Sequence, residues 1–283
     1  MRGWVGWAWL GLPLVYFAGL FVWPLVRLLR MGFSIPQPMR ITGEGWSLEN
    51  FRQIFTNPLY LECLWTTVRI SLVVAVATLV LGFPLALFLS GTTSRYRGVL
   101  LSLTLAPILI SVVVRAYGWI VLLANRGLVN SALMQLGLIA RPIRLVFNET
   151  GVEIATTHVL LPFMVLAIMG SLQGVQVTLE EAAASLGARR WRVLLDVVLP
   201  LSLPGIAAGT LLVFILSASS FVTPVLLGGQ VVLTVPMLAL QQFTTTFNWA
   251  FGSALTMLLL ATVIAITVVF DGVLRKRLVR AAA

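Results

Sequence analysis

This sequence predicts an all-α integral membrane protein with six membrane-crossing helices, and three observations carry that prediction. Hydrophobic residues fill 59% of its 283 positions, charged residues only 10%, and the mean hydropathy is +1.02, whereas soluble domains carry about 25% charged residues. Six apolar runs, at about 8–30, 66–90, 99–123, 152–174, 204–226 and 250–272, each approach the length of about 20 residues that takes a helix across a bilayer. The basic residues punctuate these runs unevenly. Segments 1–7, 91–98, 175–203 and 273–283 hold ten Lys or Arg in 55 residues, against five in 86 for segments 31–65, 124–151 and 227–249. By the positive-inside rule both termini and the 175–203 loop are cytoplasmic. The formal charge of +10 then points to anionic lipid headgroups and not to nucleic acid.

The elements follow in order. The first run starts too early and runs too long for a signal-peptide core, so it is expected to remain as an anchor. In the outer segment 31–65, Ser47 stands as a capping residue before Phe51, Ile54 and Phe55 at helical spacing, which predicts a short interfacial helix. Residues 130–139 read the same way, and Arg141, Pro142 and Arg144 stop them from forming a seventh span. Arg27, Arg30 and Arg69 lie near outer span ends, where long side chains reach the headgroups. Pro24, Pro84, Pro107, Pro162 and Pro224 fall inside runs and permit kinks, either for packing or for a gating hinge. No internal repeat, low-complexity tract or second soluble domain is visible, so residues 1–283 read as a single permeating domain.

Catalysis has little to work with. Cys63 is alone and His158 is alone, which excludes a disulfide framework and a multi-histidine metal site. The G-x-x-x-x-G-K-[ST] phosphate loop is missing, no Ser/His/Asp set stands out, and all nine acids lie in loops or near span ends. The chain is therefore expected to be no enzyme and to hold no cofactor or metal. Polar residues inside the spans are costly and need a reason. Arg115 at a bilayer centre would cost about 2.5–3.5 kcal/mol on insertion scales. With Tyr117, Trp119, Ser219, Ser220 and Thr223 it forms a candidate pathway lining; helix packing is the competing reading for the serines. His158 reads either as a satisfied buried histidine or as a proton relay.

Residues 180–200 are the polar exception among apolar runs. Thr178 and Glu181 make a capping box, three alanines follow, and Gly187 supplies the left-handed closure of a short helix. A second helix is expected from about Arg189 to Leu199, with Pro200 and Pro204 at its exit. Two readings suit this pattern. One is a docking element; the other is an amphipathic connector held on the bilayer surface by Arg189, Arg190, Arg192 and Trp191.

Glu181, Ala182, Ala183, then Gly187 after three residues, Val197 after nine more, and Leu199-Pro200 resemble the EAA loop of ABC-importer permeases, with Val197 where the family has Ile. Residues 113–119, 125–130, 158–164 and 248–252 are similar to the spermidine/putrescine-type permeases, and the likeness covers roughly 8–275. The resemblance implies a type I ABC importer permease fold with cytoplasmic EAA coupling helices, in the bacterial inner membrane. It implies a second permease subunit, two ATPase subunits that hold ATP and Mg, and an extracytoplasmic solute-binding protein. It further implies that Glu180, Glu181, Ala182, Ala183, Gly187, Arg189, Val197, Leu199 and Pro200 couple the chain to the ATPase through a helix at about Thr178–Leu186. The implied solute is small and polar, of polyamine type. One departure bears on that solute: the family's fifth span commonly carries an acid near residues 219–225, and this chain has none there. An amino-acid derivative or organic anion moved by the same importer class is the alternative. A self-contained secondary transporter or channel, a different class, would ordinarily show inverted repeats and intramembrane carboxylates.

Overall fold

The structure, a computed structural model, describes residues 11, 13–35, 45–92, 94–173, 185 and 187–282. Every regular element among them is helical, as a bilayer demands of a chain that must satisfy its own backbone. In chain order these are α1 (Pro13–Gly32), α2 (Glu49–Thr56), α3 (Pro58–Gly91), α4 (Arg97–Leu109) and α5 (Val112–Leu123). There follow α6 (Leu128–Gln135), α7 (Glu149–Leu172), α8 (Trp191–Ser219), α9 (Val235–Thr244) and α10 (Trp249–Ala282). Among the described residues, six stretches are long and apolar enough to cross a membrane: α1, α3, Val112–Gln135, α7, α8 and Trp249–Val273.

Two helix boundaries differ from the sequence expectation for physical reasons. The apolar run at 99–123 is not one helix: α4 ends at Leu109, Ile110 turns extended (ψ 135°), and α5 starts at Val112. Pro107 lacks the donor that would continue the ladder, and the carbonyls freed near the break are taken up by a side chain described below. Conversely, Pro200 and Pro204 do not end the helix that begins after Arg189. A π-helical turn, Leu194–Val198, immediately precedes Pro200, and the Leu199 N–H bonds the Leu194 carbonyl. That wider turn accommodates the pyrrolidine ring, so α8 continues to Ser219. It stops there because Ser220 is extended (ψ 132°), and a second π-helical turn, Pro224–Gly228, follows.

The chain sorts into two compact units, Met1–Leu64 with Val235–Ile264, and Trp65–Thr234 with Ala265–Ala283. In the first, the short helix α2 is locked to the end of α1 by Asn50. Its buried side chain donates to the carbonyls of Gly32 (3.1 Å) and Ser34 (2.8 Å), which α1 leaves without helical partners. Ser47, expected as the cap, stands one residue before the N-cap Leu48; its Oγ accepts from the Glu49 N–H at 3.1 Å and so braces the turn into α2, where Ile54 is fully buried. Asn248 caps α10, its Oδ1 accepting from the Phe251 N–H at 3.1 Å.

The second unit is built on α7. Val152, Ala155, Met164, Val165 and Ile168 are buried, and α4, α5, α8 and the turn Pro224–Gly228 all pack against this helix. The α7–α8 contact is close because α8 presents Gly205 and Gly209, one turn apart. A Cβ on Gly205 would lie 2.7 Å from the Ala167 carbonyl oxygen, and one on Gly209 would lie 2.8 Å from Met164 Sδ. Small residues four apart let backbones approach in this way. Asn130 ties α6 back to the chain: its side chain donates to the Ala124 and Ile143 carbonyls and accepts from the Ile143 N–H.

Candidate functional site

Three groups of residues compete for function. The first is the docking segment. Thr178, Glu180, Glu181, Ala182, Ala183 and Leu186 lie outside the described residues. Gly187 adopts φ +85°, the left-handed conformation expected of a helix-closing glycine, with no atom of the described residues within 4 Å of where a Cβ would stand. A side chain there would be opposed by backbone strain. Arg189, Arg192 and Asp196 are exposed, and so is Trp191 at 68%. Val197 and Leu199 are partly buried, and Pro200 is exposed beside the π-helical turn. The start of α8 therefore presents a mixed arginine and tryptophan face.

The second group is the expected pathway lining, which the fold divides. Arg115 and Tyr117 are two residues apart on α5 and face different ways: Arg115 is only 9% exposed and Tyr117 is 58% exposed. The Arg115 guanidinium donates to the Pro107 carbonyl and, at 3.5 Å, to that of Ile110. Those oxygens belong to the frayed end of α4, so Arg115 stands as a cation against a helix C-terminus, where the dipole favours it. Ser219 is exposed and turns its hydroxyl onto its own helix, donating to the Ile215 carbonyl at 3.0 Å. Ser220 is at the helix break, and Thr223 is buried before the turn Pro224–Gly228. α5 packs on that turn.

The third group is a cavity of about 410 Å³ among α3, α5 and α7. Its apolar walls come from Val73, Ala77 and Leu81 on α3 and from Ile154 and Leu161 on α7. Its polar groups are Trp119, Glu153, Thr157 and His158. The Trp119 and His158 rings meet edge to face with centroids 5.4 Å apart, and His158 Nδ1 is buried with no hydrogen-bond partner among the described residues. One turn before Glu153, Glu149 is held by an ion pair with Arg69. Arg69 thus has a protein partner besides any headgroup. Of the expected pathway residues, only Trp119 lines this cavity. Glu153 does not stand out in the sequence because it falls at the edge of the apolar run 152–174; α7 begins at Glu149, which puts Glu153 a full turn inside the helix. The Glu149/Glu153 spacing of four, with His158 beyond it, is the signal that marks this face. Among the described residues no group of three or more His, Cys, Asp or Glu could hold a metal ion.

Comparison with known proteins decides the family. Residues 64–280 match the model of the binding-protein-dependent transport system inner membrane component. The chain belongs to that family. It is 36% identical over 210 residues to the spermidine/putrescine transport system permease protein PotB of Haemophilus influenzae, covering 74% of this chain and 73% of that protein. With PotB of Escherichia coli the identity is 33% over 236 residues, 83% of this chain and 86% of that one. The fold is similar to that of a bacterial ABC transporter involved in the import of the acidic polysaccharide alginate, with a TM-score of 0.77 at 19% identity over 97% of this chain and 96% of that chain. The chain is thus a multi-pass ABC permease of the inner membrane. It is a transport component that works with a binding protein and does not itself perform catalysis.

Proposed function

We propose that this chain is one permease subunit of an ATP-driven importer for polyamine-type cations. It pairs with a second permease and two ATPase subunits that hold ATP and Mg, and it receives solute from an extracytoplasmic binding protein. The observation that carries the solute class is the likeness to two PotB proteins, each at 33% identity or more over at least 74% of this chain. A carboxylate inside a span supports it, since Glu153 supplies the negative charge that residues 219–225 lack. In this reading both termini and residues 175–203 are cytoplasmic, and Glu180, Glu181, Ala182, Ala183, Gly187, Arg189, Val197, Leu199 and Pro200 form the coupling face. Tyr117, Trp119, Ser219, Ser220 and Thr223 remain the proposed solute contacts, while Arg115 holds the backbone beside them.

The test is uptake by the assembled importer in proteoliposomes. With ATP inside and loaded binding protein outside, labelled spermidine is expected to accumulate; ATP-independent equilibration, or accumulation of organic anions alone, would overturn the proposal.

A further inference from the structure

We propose that the cavity among α3, α5 and α7 is an alkylammonium site on the solute's route, an inference that rests on the cation reading above. Four features of this one cavity converge on that chemistry. Glu153 contributes a carboxylate that makes no hydrogen bond or ion pair to a described residue, while Arg69 is bonded to its neighbour Glu149 and reaches Glu153 only at longer range. Two carboxylates thus share one guanidinium within a span, where ionised groups are costly and a cationic guest relieves the cost. His158 offers a buried Nδ1 without a partner, which as a neutral imidazole nitrogen accepts an N–H. Trp119, braced edge-on by His158, presents an indole, the best of the aromatic faces for a cation. The remaining walls are aliphatic, and the volume of about 410 Å³ suits a methylene chain between ammonium groups.

An anion finds little here, because both nearby guanidinium groups are already engaged, Arg69 by Glu149 and Arg115, whose charge reaches His158, by the Pro107 and Ile110 carbonyls. The geometry assigns Glu153 to the ammonium charge, His158 Nδ1 to one of its protons, Trp119 to the ammonium or its adjoining methylene, and the Arg69–Glu149 pair to keeping a single carboxylate open. Arg69 and Glu149 are positioning residues; Glu153, His158 and Trp119 touch the solute.

The experiment uses the complete importer in liposomes of phosphatidylglycerol, which carries no ammonium group, so that a lipid headgroup cannot be the occupant. Labelled spermidine and labelled butylamine are supplied at saturating binding protein. Glu153→Gln is expected to lower the maximal uptake rate about ten-fold or more, to leave binding-protein-stimulated ATP hydrolysis in place, and to be partly rescued as Glu153→Asp. Trp119→Leu is expected to follow it and Trp119→Phe to retain most uptake. A merely structural role would lower hydrolysis and uptake together, and that result overturns the site. Wild-type spermidine uptake that survives in Glu153→Gln also overturns the site while leaving the polyamine reading intact. Wild-type uptake of butylamine but not spermidine, lost in Glu153→Gln, removes the polyamine reading and keeps the site. Uptake of neither cation by the wild type overturns both.

Discussion

Arg115 shows how one side chain can carry a break in the fold. The α4–α5 joint leaves carbonyls without helical partners, and the guanidinium donates to two of them, Pro107 and Ile110. Hydrogen bonds to a charged donor contribute about 1.5–3 kcal/mol, and losing the donor strands the acceptor of the buried Pro107. Arg115→Ala is therefore expected to lower the thermal stability and membrane yield of the complex, with Arg115→Lys falling between because a single ammonium lacks the planar fork. Uptake per folded complex should change little for either variant, for cations and anions alike. A selective loss of anion uptake at unchanged stability would return Arg115 to the pathway. The residue type and its depth are legible in the sequence, but its partners are not: backbone carbonyls leave no mark in the residue pattern, and only the chain break brings them within reach. Glu153 was obscured differently, by a helix that starts three residues before the apolar run does.

At the scale of the helices, hydropathy locates the membrane segments, whereas the interruptions within them follow from hydrogen bonding. The run at 99–123 looks continuous because Ile110 and Ser111 are no less compatible with a span than their neighbours, yet the ladder stops there. Pro200 and Pro204 look like a stop, yet the π-helical turn Leu194–Val198 lets α8 pass through them. The glycine pair at the α7–α8 contact, in contrast, is written plainly as Gly205 and Gly209 at a spacing of four. Gly209→Leu puts a branched side chain where Met164 Sδ and Ala167 Cβ already stand within 2.8 and 3.1 Å of a first carbon. Overpacking of this kind costs about 1–3 kcal/mol or more when backbones must separate. The expected outcome is reduced membrane yield and a lower melting temperature, with Gly209→Ala much milder because Met164 is flexible. Equal stability of Gly209→Leu and wild type, measured on the purified complex, would show that the helices do not rely on this approach.

For the molecule as a whole, the family supplies membrane components of binding-protein-dependent transport systems, and in the proposed function the energy comes from separate ATPase subunits. α8 is the element suited to receive it. Its 29 residues span about 43 Å at 1.5 Å per residue. One end carries the exposed Trp191, Arg192 and Asp196 directly after Gly187, and the other ends at the break at Ser220. Midway, Gly205 and Gly209 fasten it to α7, the helix that bears Glu153 and His158. A displacement delivered before Trp191 therefore reaches the cavity helix through a backbone-close contact, provided the residues around Gly187 hold their shape. That proviso yields the last prediction. Glu181→Lys reverses the charge at the helix start that the sequence predicts there, and Gly187→Val forces a β-branched side chain into a left-handed conformation that costs about 1–2 kcal/mol. Both variants are expected to insert and fold normally yet to lose most uptake, with less ATPase retained on affinity-purified permease. Gly187→Asn should be the mildest change at that position, because asparagine tolerates φ near +85° better than other side chains. Wild-type uptake by Glu181→Lys and Gly187→Val at equal membrane levels would place the proposed coupling surface elsewhere in the chain and leave α8 as a packing helix alone.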